Sequence, residues 1–284
     1  MEVGFSIDPA QGLSPQDELD CVRLAAELGY RSAWTPGRGD ASAFDRCRAW
    51  YQVSGLPTGV AVVPASGQTA AFYSEQATRV WDECGGNFVL GVGSGQMAHP
   101  ADQMPRYLET LRRLLPPGLP VYVAALGPHM LQVSAELADG VSLNWCTVEQ
   151  VASSRAQVER AAASAGRPVP PLIEYIRTAV DPDPVVAARV LGAAMLGYAL
   201  GPIAYRHHFE RMGFADELSD QDAARTSPSP RMLSAVGAWG APTAVRRQFL
   251  RLAQGLDCAI VRVLVREPSD VESAHRVLRE CRPG

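Results

Sequence analysis

Short apolar runs rich in β-branched residues alternate with amphipathic helical runs along almost the whole chain, and this alternation limits the fold more than any other feature. Runs at 3–7, 32–35, 58–63, 87–91, 121–125, 141–144, 172–180 and 259–265 read as strands of the fully buried, parallel kind. Helical patterns at 17–28, 43–53, 69–84, 107–115, 130–138, 148–165, 243–255 and 270–281 couple to them. The punctuation agrees: Ser14 and Pro15 open the first helix as cap and first-turn proline, Gly29 ends it, Pro64 stops the third strand, and Gly85-Gly86 ends the third helix. Eight βα units in 284 residues predict a single α/β domain over 1–284, a (β/α)8 TIM barrel, a fold that typically takes about 250 residues. A doubly wound open sheet is the alternative.

Residues 181–240 break the rhythm, with helical patterns at 185–200 and 203–212 and then the loop Thr226-Ser227-Pro228-Ser229-Pro230. In a barrel, a helical insertion after strand 7 lies over the C-terminal face. There it serves as a lid or substrate wall, or else as a dimer surface or solvated cover.

Composition excludes several chemistries. The chain has no lysine, and all 26 basic residues are arginine. Schiff-base catalysis by lysine, pyridoxal-phosphate chemistry and a Walker-A loop are therefore ruled out. The net charge is −4, with no basic run to suit nucleic acid. No apolar stretch is long enough to span a membrane, since Val190 to Ala204 is cut by Gly197, Gly201 and Pro202. The opening MEVGFSIDP lacks a basic n-region, so no secretory leader and a cytoplasmic location are expected. Six cysteines at 21, 47, 84, 146, 258 and 281 form no metal-ligand spacing, which predicts buried free thiols. His207 and His208 are adjacent, so on a helix they point about 100° apart and make no joint metal site.

In a barrel, chemistry collects at strand C-termini. Strand 4 ends in Gly91-Val92-Gly93-Ser94-Gly95-Gln96, small residues that let backbone amides approach a phosphate or the polar edge of a ring. Strand 5 runs through Ala125, Leu126 and Gly127 into Pro128-His129, a tight turn that aims free helix N–H groups at the mouth. In strand 3, Gly59 marks a bulge or a close backbone approach. Asp8, Trp34, Asn144 and Glu174 could line the same cavity, and Arg38, Arg177 and His129 lie near it. Without lysine, guanidinium forks, amides and hydroxyls must hold any phosphate.

Together, residues 25–34 (AAELGYRSAW), 58–64 (TGVAVVP), 88–95 (FVLGVGSG), 120–128 (PVYVAALGP) and 135–141 (AELADGV) resemble the luciferase-like monooxygenase superfamily, most of all its deazaflavin (coenzyme F420)-dependent oxidoreductases. The resemblance covers about 3–180 and returns weakly at 239–265. It implies a flavin-type ring at the C-terminal mouth, backed by a non-proline cis peptide near Val60-Ala61. It implies that Ser94, Gly95, Gln96, Ala125, Leu126 and Gly127 contact the cofactor and its phosphate, with Asn144 beside them. It implies hydride transfer between the deazaflavin and an alcohol, imine or activated alkene, in a homodimer, and the arginine-for-lysine bias suits an actinobacterial source. FMN-dependent relatives activate oxygen instead, and an FMN-dependent monooxygenase or a catalytically silent binding protein are the alternatives. Two positions depart from the family pattern. No histidine follows strand 2, where Thr35-Pro36-Gly37-Arg38 stands, and Gln96 replaces an acid/base glutamate. An amide exchanges no proton near neutral pH, which counts against alcohol oxidation. His129, Asp8 or water would then protonate an acceptor.

Overall fold

The computed structural model describes residues 1–224 and 228–284. Its strands are β1 (Glu2–Ser6), β2 (Ala33–Thr35), β3 (Thr58–Pro64), β4 (Phe88–Gly93), β5 (Val121–Ala124), β6 (Gly140–Asn144), β7 (Leu172–Val180), β8 (Gly237–Gly240) and β9 (Cys258–Leu264). Its helices are α1 (Pro15–Glu27), α2 (Ser42–Ser54), α3 (Ala70–Glu83), α4 (Pro100–Leu114), α5 (Pro128–Leu137), α6 (Val148–Ser164), α7 (Pro184–Ala199), α8 (Ile203–Phe209), α9 (Ala215–Ala224), α10 (Pro230–Val236), α11 (Pro242–Leu252) and α12 (Val271–Glu280). Strands β1 to β7 pair in order, β9 follows β7, and β9 returns to β1, every pair parallel. This is a closed TIM barrel ringed by helices. Three helices start where a side chain satisfies a free N–H group: Ser14 accepts from Asp17 at α1, Thr69 from Phe72 at α3 and Thr147 from Gln150 at α6.

Three elements differ from the sequence expectation. Helix α4 starts at Pro100, not 107, because Pro105 lies inside the helix where it reads as a breaker. The helix expected at 203–212 continues beyond α8 through a wide turn at Glu210–Phe214 into α9, with Gly213 at φ 87° making the bend. The strand β8 was not anticipated. It pairs with Arg177–Val180 on β7, while β6 pairs with Leu172–Tyr175 and β9 runs along the other edge. Strand β7 outruns β6, so β8 covers the edge left open above it. Of the loop expected at 226–230, Thr226 and Ser227 lie outside the described residues, and Pro230 begins α10.

Side chains alternate across the wall. Phe5, Val261 and Val263 face the helices. Trp34, Ala61, Ile173, Tyr175, Cys258 and Ile260 pack together in the barrel interior. Trp34 lies on Gly59, where a Cβ would come within 2.3 Å of its ring, and its Nε1 donates to Ser32 at 2.8 Å. Glu174 points the other way from Tyr175, is 2% exposed, and accepts the Cys146 amide at 2.7 Å. Its second oxygen has no hydrogen-bond partner among the described residues. Burial pushes the Glu174 carboxyl up to about 8.

Two outcomes follow from this packing. Gly59→Ala forces the Trp34 ring aside and costs about 1–3 kcal/mol in denaturant unfolding. Adding Trp34→Leu relieves the clash, so the two losses are less than additive; full additivity would contradict the contact. For Glu174, folding raises the pKa above the unfolded value of about 4.3, so the native state holds a proton that the unfolded chain has lost. Stability contributed by this group therefore falls as pH rises through that window towards about 8. Glu174→Gln removes the slope, and its Tm relative to the parent protein is higher at about pH 9 than at about pH 5. A Tm difference that does not change with pH would show that Glu174 is already ionised in the native state.

Candidate cofactor site at the barrel mouth

A cleft of about 810 Å³ opens at the C-terminal ends of β3 to β7. Its first wall is β3. The β3–β4 register shifts between Val60 and Val63, and the Ala61–Val62 peptide is cis with no proline involved. The cis bond thus stands one residue beyond the expected position. Ala61 and Val62 line the cleft, while Val60 is fully buried in the helix-facing core and does not reach it.

The second wall is the turn after β4, where Gly93, Ser94, Gly95 and Gln96 line the cleft. Gly95 has φ +61°, and a Cβ there would stand 2.5 Å from Ser66 Oγ, so only glycine suits it. Ser66 Oγ accepts the Gln96 amide at 3.0 Å, tying this turn to the one after β3.

The third wall is the β5–α5 turn. Leu126, Gly127 and His129 line the cleft, whereas Ala125 is buried behind them. Gly127 is the N-cap of α5, no side chain caps that helix, and Pro128 follows. The guanidinium of Arg211 donates to Leu126 O at 2.8 Å and lies 3.6 Å from where a Gly127 Cβ would be. Among the described residues Arg211 has no carboxylate partner. An uncapped helix start beside a guanidinium is an anion cradle.

The deep wall combines β6, β7 and α8. Asn144 lines the cleft with its Oδ1 on the Arg177 guanidinium and its Nδ2 donating to Tyr205 Oη at 2.5 Å. Arg177 is 2% exposed and lies 4.2 Å from the Trp145 ring and 5.0 Å from Tyr198. Burial pushes its pKa down, and the nearby Arg262 adds to this.

The remaining sequence candidates lie elsewhere. Asp8 accepts from Ala10 and forms an ion pair with Arg262. Burial pushes its carboxyl up, but Arg262 and the Ala10 amide outweigh this and hold it below the usual range. Trp34 faces the opposite end of the barrel, beside Glu2 and Pro57, because its ring packs on Gly59. Arg38 is exposed on the loop after β2, outside the wall. Glu174 lies behind β7. Tyr205 and Arg211 carry no signal in the sequence, and His207 was weighed there only as half of a metal pair and rejected; all three reach the cleft from the insertion. Adjacent His208 is buried against Trp145 O at 3.1 Å, and burial lowers its pKa to about 4. Helical periodicity told the two histidines apart, and the fold set the insertion over the C-terminal face, but no pattern within it showed which side chains would reach the cleft.

The architecture matches known proteins. The barrel superimposes on a coenzyme F420-dependent tetrahydromethanopterin reductase from Methanopyrus kandleri with a TM-score of 0.72 at 18% identity, covering 99% of this chain and 98% of that one. It also superimposes on an F420-dependent secondary alcohol dehydrogenase solved with an F420-acetone adduct, with a TM-score of 0.75 at 13% identity, covering 99% and 97%. An oxygenating constituent of 3,6-diketocamphane monooxygenase from Pseudomonas putida, in complex with FMN, gives 0.67 at 14% identity, covering 100% and 98%. At these identities the likeness is one of fold. In sequence, a 5,10-methylenetetrahydromethanopterin reductase of Archaeoglobus fulgidus is 27% identical over 35% of this chain, a match spanning 40% of that protein. The luciferase-like monooxygenase profile matches residues 104–257, more than half of the chain, which therefore belongs to the luciferase-like monooxygenase family.

Proposed function

We propose that this protein is a coenzyme F420-dependent oxidoreductase that moves a hydride between the deazaflavin and a small organic substrate. One observation carries this reading: a cleft with a flat wall of small residues on one side and the uncapped α5 start with Arg211 at its rim. That combination suits a planar ring system joined to a phosphate. Ala61, Gly93, Ser94 and Gly95 would back the ring. Gln96 and Asn144 would meet its polar edge, and the α5 amides with Arg211 would hold the phosphate. The bound coenzyme supplies a carbon that gives or takes a hydride. The chain's part is to orient the ring, exclude water under the insertion, and supply or withhold a proton. The relative from Archaeoglobus fulgidus is a reductase, which favours hydride transfer over oxygen activation.

FMN carries the same pairing of ring and phosphate, so an FMN-dependent monooxygenase is the second reading. Fluorescence titration of the apoprotein with coenzyme F420 and with FMN separates them. Tighter binding of coenzyme F420 is expected. Arg211→Ala weakens it about 10- to 150-fold, the worth of one charge-assisted hydrogen bond of about 1.5–3 kcal/mol. Tight FMN binding with none for the deazaflavin would replace hydride transfer with oxygen chemistry. Binding of neither would mark the cleft as catalytically silent.

A further inference from the structure

An acceptor that takes up a hydride also needs a proton. The groups expected to supply it do not stand at depth. Gln96 is an amide, Asp8 is tied to Arg262, and His99, His129 and His207 lie exposed on the outer rim. The ring of Tyr175 lines the cleft, but its oxygen is sealed from solvent beside Ser6.

Tyr205 is different, and the hydrogen-bond directions show why. Arginine has only donors, so the Asn144 oxygen must face Arg177 and its NH2 must face Tyr205. The phenol therefore accepts from Asn144, and its own hydrogen points elsewhere. Among the described residues no acceptor meets it, and Tyr205 lines the cleft. An edge-to-face contact with Tyr198, with centroids 4.8 Å apart, fixes the ring. Behind Asn144 stands the buried cation of Arg177, with no carboxylate partner among the described residues. Burial pushes the Tyr205 phenol up to about 12, so it stays protonated, while the charge of Arg177 favours the phenolate formed when the proton leaves. A phenol that stays protonated has its hydrogen available for an acceptor that takes up a hydride.

Building on the hydride-transfer reading, we propose that Tyr205 is the catalytic proton donor, that Asn144 and Arg177 position it, and that the acceptor is an α,β-unsaturated ketone bound with its oxygen towards Tyr205. The reduced coenzyme is the two-electron reductant. A hydride from it would form the new C–H bond at the β-carbon, with the C=C pair shifting towards oxygen. The Tyr205 O–H breaks as the enol O–H forms. The phenolate recovers a proton from water, and the enol relaxes to the saturated ketone.

Two measurements test this. In the first, 3-fluorotyrosine is placed at position 205, the protein is saturated with oxidised coenzyme F420, and its 19F resonance is followed as 2-cyclohexen-1-one is added. The resonance should move with the enone and stay fixed with cyclohexene, which lacks the carbonyl. No movement with the enone overturns the proposal. In the second, 2-cyclohexen-1-one oxidises the bound reduced coenzyme. Tyr205→Phe keeps the packing on Tyr198, so coenzyme affinity should remain within about threefold while the oxidation rate falls about 10²- to 10⁴-fold. Asn144→Leu should lower kcat with little change in the enone KM. A Tyr205→Phe rate within about threefold of the parent overturns the donor role. A parent protein that binds the coenzyme but never oxidises its reduced form with the enone overturns it as well, because the acceptor class is part of the proposal. If coenzyme F420 does not bind at all, the hydride-transfer reading falls first, and the binding titration reports that separately.

Discussion

The mouth of this barrel is open because its floor is full. A closed ring of eight parallel strands leaves an interior about wide enough for side chains. Here the large rings occupy its lower end. Trp34 and Tyr122 lie 6.3 Å apart between centroids, each packed over a glycine, Gly59 and Gly140 respectively. Above them the wall narrows to Ala61, Gly93, Ala124 and Ser142, all of which border the cleft. Large side chains below and small ones above make the interior taper, and that taper leaves a flat-walled space at the strand ends where chemistry collects in this fold.

The mouth is also asymmetric, and the absence of lysine bears on how it is built. On the side of β1 and β2, Arg46 bonds Glu18 through two nitrogens at 3.0 and 2.8 Å, Thr35 at 2.9 Å and Ile7 O at 3.2 Å. Its guanidinium also lies 4.8 Å from the Trp50 ring. Arg262 pairs with Asp8 and lies 4.6 Å from the Tyr175 ring. A planar fork can serve several acceptors and a ring face at once, which a compact ammonium cannot do. Buried cations need such partners, because an uncompensated charge costs several kcal/mol away from water. These ion pairs close the β1–β2 side. The cleft is bordered by the ends of β3 to β7 and the insertion, with Gly37 alone from the β2 loop.

The barrel was legible in the sequence because buried parallel strands are continuous apolar runs, and β7 begins and ends where its pattern predicts. The walls from β3, β4 and β5 were legible for a related reason: once the fold is known, the end of each strand must face the mouth. Side-chain direction was not. Trp34 ends a short strand but points down to a glycine, and Asp8 stands near the mouth but turns to Arg262. Val60 and Ala125 adjoin wall residues yet point into the core. β8 was missed because four residues with glycine at each end carry no strand pattern. Tyr205 and Arg211 were missed because the apolar helix α7, buried through Leu191 and Met195, fixes the insertion by tertiary packing that no local pattern reports.

The two halves of the site therefore have different physical origins. The strand-end half consists of backbone, small side chains and amides. Ala61, Gly93, Ser94 and Gly95 line it, and the oxygen of Tyr175 at its depth is sealed from solvent. The Tyr205 phenol and the Arg211 guanidinium come from the insertion, which joins the barrel mainly through α7 and β8. Asn144 links the halves. It stands at the end of β6, and its amide is fixed on one side by Arg177 of the barrel and on the other by Tyr205 of the insertion. Because that amide cannot flip without setting donor against donor at Arg177, the barrel dictates which way the phenol hydrogen points. The closed sheet thus sets the direction of a proton carried by a segment outside it.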